Sequence, residues 1–167
     1  IAGLMIGLVV MVMVAANYRS FEYYRSESRE LTTIHQGVVE FLEQHAGPDD
    51  VLATEDIGEI GYFSRMPILD RAGLVSPEAI PYNADGEYFG LIRDYRPEWL
   101  VISPWDPTAG FLEAEAFRRM YVHCRTFWPP DGDREWQFEV HARRDTPDSG
   151  DLLGELLYLF LPVNFLT

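Results

Sequence analysis

Hydrophobic and polar positions follow four successive patterns along this chain. The first 16 residues, IAGLMIGLVVMVMVAA, are apolar and uncharged on every side. From about residue 28 the period becomes helical. Leu31, Ile34, Val38, Phe41 or Leu42, and His45 recur at steps of three and four, which predicts an amphipathic helix with one buried stripe. Gly47 stands where such a helix stops, and Pro48 follows it.

The pattern then shortens. Residues 51–54, 67–70 and 98–103 are brief apolar runs bounded by turn residues, and each predicts a short strand. In EDIGEIGYFS, Asp56 is placed to cap a helix and Glu59 to close a capping box. Ile57, Ile60, Tyr62 and Phe63 are then expected to pack on the sheet, with Gly58 and Gly61 permitting close backbone approach. Pro67 suits the start or edge of the second strand, and RAGL leaves it through a turn at Gly73. Ser76 and Pro77 predict a further short helical turn ended by Pro81, with NADGEY as a turn. A helix over 87–95 ends before Pro97, PWDPTAG reads as loop, and 111–120 reads as helix.

After residue 120 the period changes to two. YVHCRTFW and EWQFEVHARR both alternate, and Trp136, Phe138, Val140 and Ala142 share one face. Asp131 and Gly132 between them are turn residues, so the two runs predict an antiparallel hairpin. The fold class expected is α/β: a small mixed sheet with helices on both faces, parallel strands followed by a C-terminal antiparallel hairpin, preceded by the end of a transmembrane helix.

That last expectation comes from the flanks of the apolar start. NYRSFEYYR interleaves Tyr18, Phe21, Tyr23 and Tyr24 with Arg19 and Arg25, the composition found where a helix leaves a bilayer. Gly3 and Gly7 form a small-xxx-small pair, a pattern of close helix packing. A signal peptide would want a basic region ahead of the apolar run, and none stands there. The abrupt start at Ile1 is expected to be the severed end of a longer spanning helix. The tail, DTPDSGDLLGELLYLFLPVNFLT, turns strongly apolar but is too short to span; it is expected to dock on the domain, lie at the bilayer surface or meet further membrane helices.

Composition narrows the partners. The chain carries 13 basic against 27 acidic side chains, a formal net charge of −14, and every basic side chain other than histidine is arginine. Such a surface repels phosphate backbones, which excludes a nucleic-acid partner. Cys124 is the lone cysteine, and neither it nor His35 and His45 has metal-ligand spacing around it. No cofactor motif is present: DIGEIG lacks the dinucleotide fingerprint, and without lysine there is no P-loop.

The candidate ligand contacts are Glu55, Asp56, Glu59, Asp70, Trp105 and Asp106. Asp56 and Asp70 follow successive predicted parallel strands, and ligand sites of open α/β sheets lie beyond the carboxyl ends of strands. Paired carboxylates suit acid/base work in glycoside chemistry when they converge on a cleft. A helix cap at Asp56 and a turn acceptor at Asp70 explain both residues without a reaction. PWDP offers an aromatic and an acid to a sugar. His123 and Cys124 are adjacent and so point to opposite faces of a strand. His123 and His141 can meet across the hairpin by packing alone.

The order VLATEDIGEIGYFSRMPILDRAGLVSPE followed by YFGLIRDYRPEWLVIS resembles the C-terminal extracytoplasmic domain of GT-C class membrane glycosyltransferases. These are polyprenyl-phosphate-sugar-dependent enzymes, similar to protein mannosyltransferases, aminoarabinose transferases and arabinofuranosyltransferases. The resemblance covers roughly residues 28–143 and is carried by Asp56, Gly58, Gly61, Tyr62, Asp70, Gly73, Leu74 and the run from Tyr88 to Ser103. Together with the hydropathy pattern it divides the chain into three parts: the end of a transmembrane helix and its interface at 1–24, an extracytoplasmic α/β domain at 25–145, and an apolar tail at 146–167. It implies a cell-membrane location, with the bilayer and upstream transmembrane helices as partners and a carbohydrate or lipid-linked acceptor as ligand. Because the catalytic aspartate of such enzymes sits in an early loop between membrane helices, no residue here inherits a catalytic role. The function expected is therefore a non-catalytic domain of an enzyme moving a sugar from a lipid-phosphate donor. The alternative is a membrane-anchored binding or assembly domain with no enzymatic activity.

Overall fold

A computed structural model describes residues 2–103, 106, 109–129 and 136–145. The expected turn at Asp131 and Gly132, Trp105, and the apolar tail lie outside the described residues.

One helix, α1 (Ala2–His45), runs unbroken through 44 residues, about 66 Å at the α-helical rise. Sequence patterning divides this segment in two, yet no proline interrupts it before Pro48, so the apolar and amphipathic halves fuse into one rod. Met5–Arg25 is long and apolar enough to cross a membrane, with mean hydropathy 1.3 and none of it buried. The second half is part of the domain core: Ile34, Val38, Phe41 and Leu42 are buried, as the three–four periodicity requires.

The sheet contains β1 (Leu52–Thr54), β2 (Ile68–Asp70), β3 (Trp99–Ile102), β4 (Tyr121–Phe127) and β5 (Phe138–Arg143) in the order β2-β1-β3-β5-β4. β1 is parallel to both β2 and β3, while β5 runs antiparallel to β3 and β4. Pro67 precedes the edge strand, where a missing N–H costs no ladder bond. The helices α2 (Glu59–Ser64), α3 (Ala79–Asp85), α4 (Tyr88–Tyr95) and α5 (Glu115–Met120) complete the fold. Side chains alternate along β3: Trp99 and Val101 pack with α1 and Ile60 of α2, whereas Leu100 and Ile102 pack with α3, α4 and α5. Helices thus cover both faces of a mixed sheet that ends in an antiparallel hairpin.

Several local expectations fail for identifiable reasons. The capping box does not form: α2 begins two residues later than expected, with Gly58 at its N-cap and no side-chain cap. Of the four residues expected to pack on the sheet only Ile60 is buried; Tyr62 and Phe63 are 75% and 53% exposed. Gly58 and Gly61 are not sites of forced approach, since a Cβ there would meet its neighbours at 3.5 Å or more. Pro81 does not end α3 but lies in its first turn, where the proline nitrogen would have no intrahelical partner anyway. The helix stops instead at Gly86, whose φ of 72° is left-handed. The segment 111–120 is broken at Ala114 between a 3₁₀ turn (Ala109–Glu113) and α5.

The direction of α1 relative to the sheet matters for function. Its C-terminal end meets the start of the parallel strands, where Asp50 accepts hydrogen bonds from the Gly47 amide (2.9 Å) and the Trp99 indole (2.8 Å). Ten residues earlier, His35 meets Asp56 and Glu59, which follow the carboxyl end of β1. α1 therefore runs antiparallel to β1, and its apolar half leaves the domain from the carboxyl edge of the parallel strands.

Candidate functional site

The chain passes from β1 through α2 on one face to β2, then returns through α3 and α4 on the other face to β3. The winding reverses between β1 and β3, and such a reversal leaves a crevice beyond the strand ends. An open cleft of ≈ 470 Å³ occupies that place, lined by Glu55, Asp56, Ile57, Gly58, Ala72 and Ser103. Glu55 follows β1 and Ser103 follows β3, and the Ser103 hydroxyl donates a hydrogen bond to the Glu55 carboxylate across the crevice.

Burial pushes the Glu55 carboxyl above its ordinary pKa. The Ser103 hydrogen bond and Arg71 counteract this, while the negative charges of Asp106 and Asp56 reinforce it. Beside the cleft, Arg71 forms a buried ion pair with Asp106 and lies 5.1 Å from the centre of the Phe111 ring. Sequence patterning gave Arg71 no role beyond a turn. Its guanidinium is paired and stacked, the arrangement that lets arginine be buried at all.

Asp70 behaves differently from Glu55. It is fully buried, and its two carboxylate oxygens accept the Ala72 and Val75 amides at 2.9 and 2.8 Å. Its own amide donates to Ser76 Oγ at 2.9 Å. These bonds build the loop after β2, in which Gly73 takes φ +85° with Ile80 Cγ1 3.1 Å from the position of a Cβ. The Asp70 carboxylate turns to its own loop, while that of Asp56 turns to His35 of α1.

On α1, His35 is buried between two carboxylates. Its Nδ1 lies 2.9 Å from Glu59 Oε2, and its Nε2 lies 3.1 Å from Asp56 Oδ2 but out of line for a hydrogen bond. Each ring nitrogen thus lies against one carboxylate. This clamp ties α1 to the β1–α2 loop and borders a second groove of ≈ 430 Å³ between α1 and α2. Sequence patterning found no metal-ligand spacing around His35 and gave it no partner, because its partners lie 21 and 24 positions away and leave no local signal. Among the described residues no group of three metal-ligating side chains comes together.

The hairpin histidines meet by register. His123 faces His141 across β4 and β5, with ring centroids 5.3 Å apart. Burial and the neighbouring His141 lower the His123 pKa. A bulge interrupts the register at Cys124, which is buried on the α1 side while His141 packs against Phe117 on the other. Burial pushes the Cys124 thiol up to about 11, so the thiolate that nucleophilic chemistry needs is scarce.

A family profile described as a domain of unknown function, DUF8728, matches residues 16–145. The chain belongs to this family. The DUF8728 match takes in the polar half of α1 with the whole described sheet, so the helix leading up from the membrane-length segment is part of the family's unit. No curated protein and no solved structure matches the chain.

Proposed function

We propose that this chain is a membrane-anchored binding or assembly module, an acidic α/β domain held at a bilayer by a helix it shares with the membrane. The observation that supports it most is the division of α1. Met5–Arg25 is unburied and apolar, while Ile34, Val38, Phe41 and Leu42 of the same helix fill the domain core. Leaving so long an apolar surface in water would be costly, and a bilayer removes that cost. The extracytoplasmic side is proposed on the resemblance to transferase domains. The full chain is expected to stay in membranes through alkaline carbonate washing. The double substitution Val9→Asp and Met13→Asp is expected to release it; wild-type protein recovered in the wash would refute the anchor.

One feature favours a second reading, in which the domain is a non-catalytic part of a membrane glycosyltransferase and upstream membrane helices perform the transfer. The crevice of Glu55, Asp56 and Ser103 opens at the edge from which the apolar half of α1 departs. A lipid-linked sugar acceptor would meet that edge first. Carboxylates and a hydroxyl suit the hydroxyl groups of a sugar and repel free phosphate. Titration of the detergent-solubilised chain with soluble oligosaccharides tests this: saturable heat lost in Asp56→Asn supports it, and no heat with any glycan contradicts it.

A further inference from the structure

Three large apolar side chains are exposed at or beside the loop after β2: Leu74 at 76%, Val75 at 63% and Ile80 at 54%. This exposure is built into the loop. The buried Asp70 carboxylate holds the Ala72 and Val75 amides, Ser76 Oγ holds the Asp70 amide, and the Gly73 amide donates to the Asp70 carbonyl at 3.1 Å. A loop fixed by four hydrogen bonds that still presents Leu74 and Val75 to solvent has them available for a partner.

The position of the loop indicates which partner. It lies beyond the carboxyl end of β2, the edge from which α1 departs toward Met5–Arg25. Leu31 already packs against the core, and it follows Arg25 by only six residues, about 9 Å of helix. The loop therefore has little distance to cover to the headgroup layer. We propose that Leu74, Val75 and Ile80 form a second membrane contact, entering the interfacial zone of the same bilayer that α1 crosses and laying the carboxyl edge of the sheet on it. This rests on α1 being the anchor. The neighbouring acids Glu55, Asp56, Glu78 and Asp106 oppose attraction to anionic lipid, so the contact is apolar and forms on zwitterionic bilayers.

The test uses the full chain reconstituted in phosphatidylcholine vesicles, with Cys124→Ser and a single new cysteine carrying an environment-sensitive fluorophore. Leu74→Cys and, as a second site, Val75→Cys are expected to emit blue-shifted light and to be quenched severalfold more by a headgroup nitroxide lipid than Asp49→Cys at the opposite edge of the domain. Equal quenching at Leu74, Val75 and Asp49 overturns the proposal. A blue shift that depends on protein density and ignores the nitroxide lipid also overturns it, pointing to a second copy as occupant. Val12→Cys with an acyl-chain nitroxide separates the two claims: quenching there without quenching at Leu74 rejects the loop contact alone, and its absence rejects the anchor.

Discussion

Replacing the fully buried Asp70 by alanine removes the carboxylate that accepts the Ala72 and Val75 amides. Two lost hydrogen bonds to a charged group predict a destabilisation of about 2–4 kcal/mol in urea unfolding. Asp70→Asn keeps one acceptor oxygen and is expected to cost less. Glu55 predicts a pH effect. Its folded-state pKa lies above the ordinary 4.5, so the folded chain holds this proton more tightly than the unfolded chain. Its contribution to stability is full below about pH 4.5 and is lost as pH rises through the raised folded value. Glu55→Gln is expected to remove that loss, which shows as a wild-type-minus-variant difference growing with pH across that window; a flat difference contradicts the assignment. Cys124, with its thiol raised to about 11, is expected to resist thiol reagents at neutral pH until the domain unfolds.

At the scale of elements, the fate of α1 separates what a sequence pattern reveals from what it hides. The stripe from Leu31 to Leu42 predicts its buried face correctly, since that periodicity is local. Leu42→Ala, fully buried against the sheet, is expected to cost about 3–5 kcal/mol, a loss that shows α1 to be core rather than linker. Continuity through residues 17–30 was not legible, because a change of composition from apolar to charged looks like a boundary although the backbone carries straight on. The strands were legible from short apolar runs, and the hairpin from its period of two. α2 was legible as a helix but not in its details. Asp56 has a capping residue's chemistry, yet it faces His35, a partner brought in by tertiary packing. The Arg71–Asp106 pair was hidden for the same reason, its members standing 35 positions apart. Removing one partner with Asp106→Ala is expected to cost about 3–5 kcal/mol, and replacing both by apolar residues of similar size far less; thermal unfolding of the two variants checks this.

For the whole molecule, strand order determines where chemistry can gather. The reversal of winding between β1 and β3 places Glu55 and Ser103 on opposite lips of one crevice, and only Glu55 of that pair stood out from the sequence. The rod-like α1 then sets which way the crevice faces, since anything attached to its apolar half lies beyond the carboxyl edge of the sheet. The account depends on that rod being one helix in a bilayer as well as in isolation. A pulsed electron-spin distance between labels at Met13→Cys and Glu43→Cys, in Cys124→Ser chain held in lipid nanodiscs, tests it most directly. Thirty residues of unbroken α-helix predict a single narrow distribution near 45 Å, allowing roughly 5 Å for the labels. A broad distribution centred well below that distance would show the helix broken between membrane and domain, and would contradict both the shared anchor and the orientation derived from it.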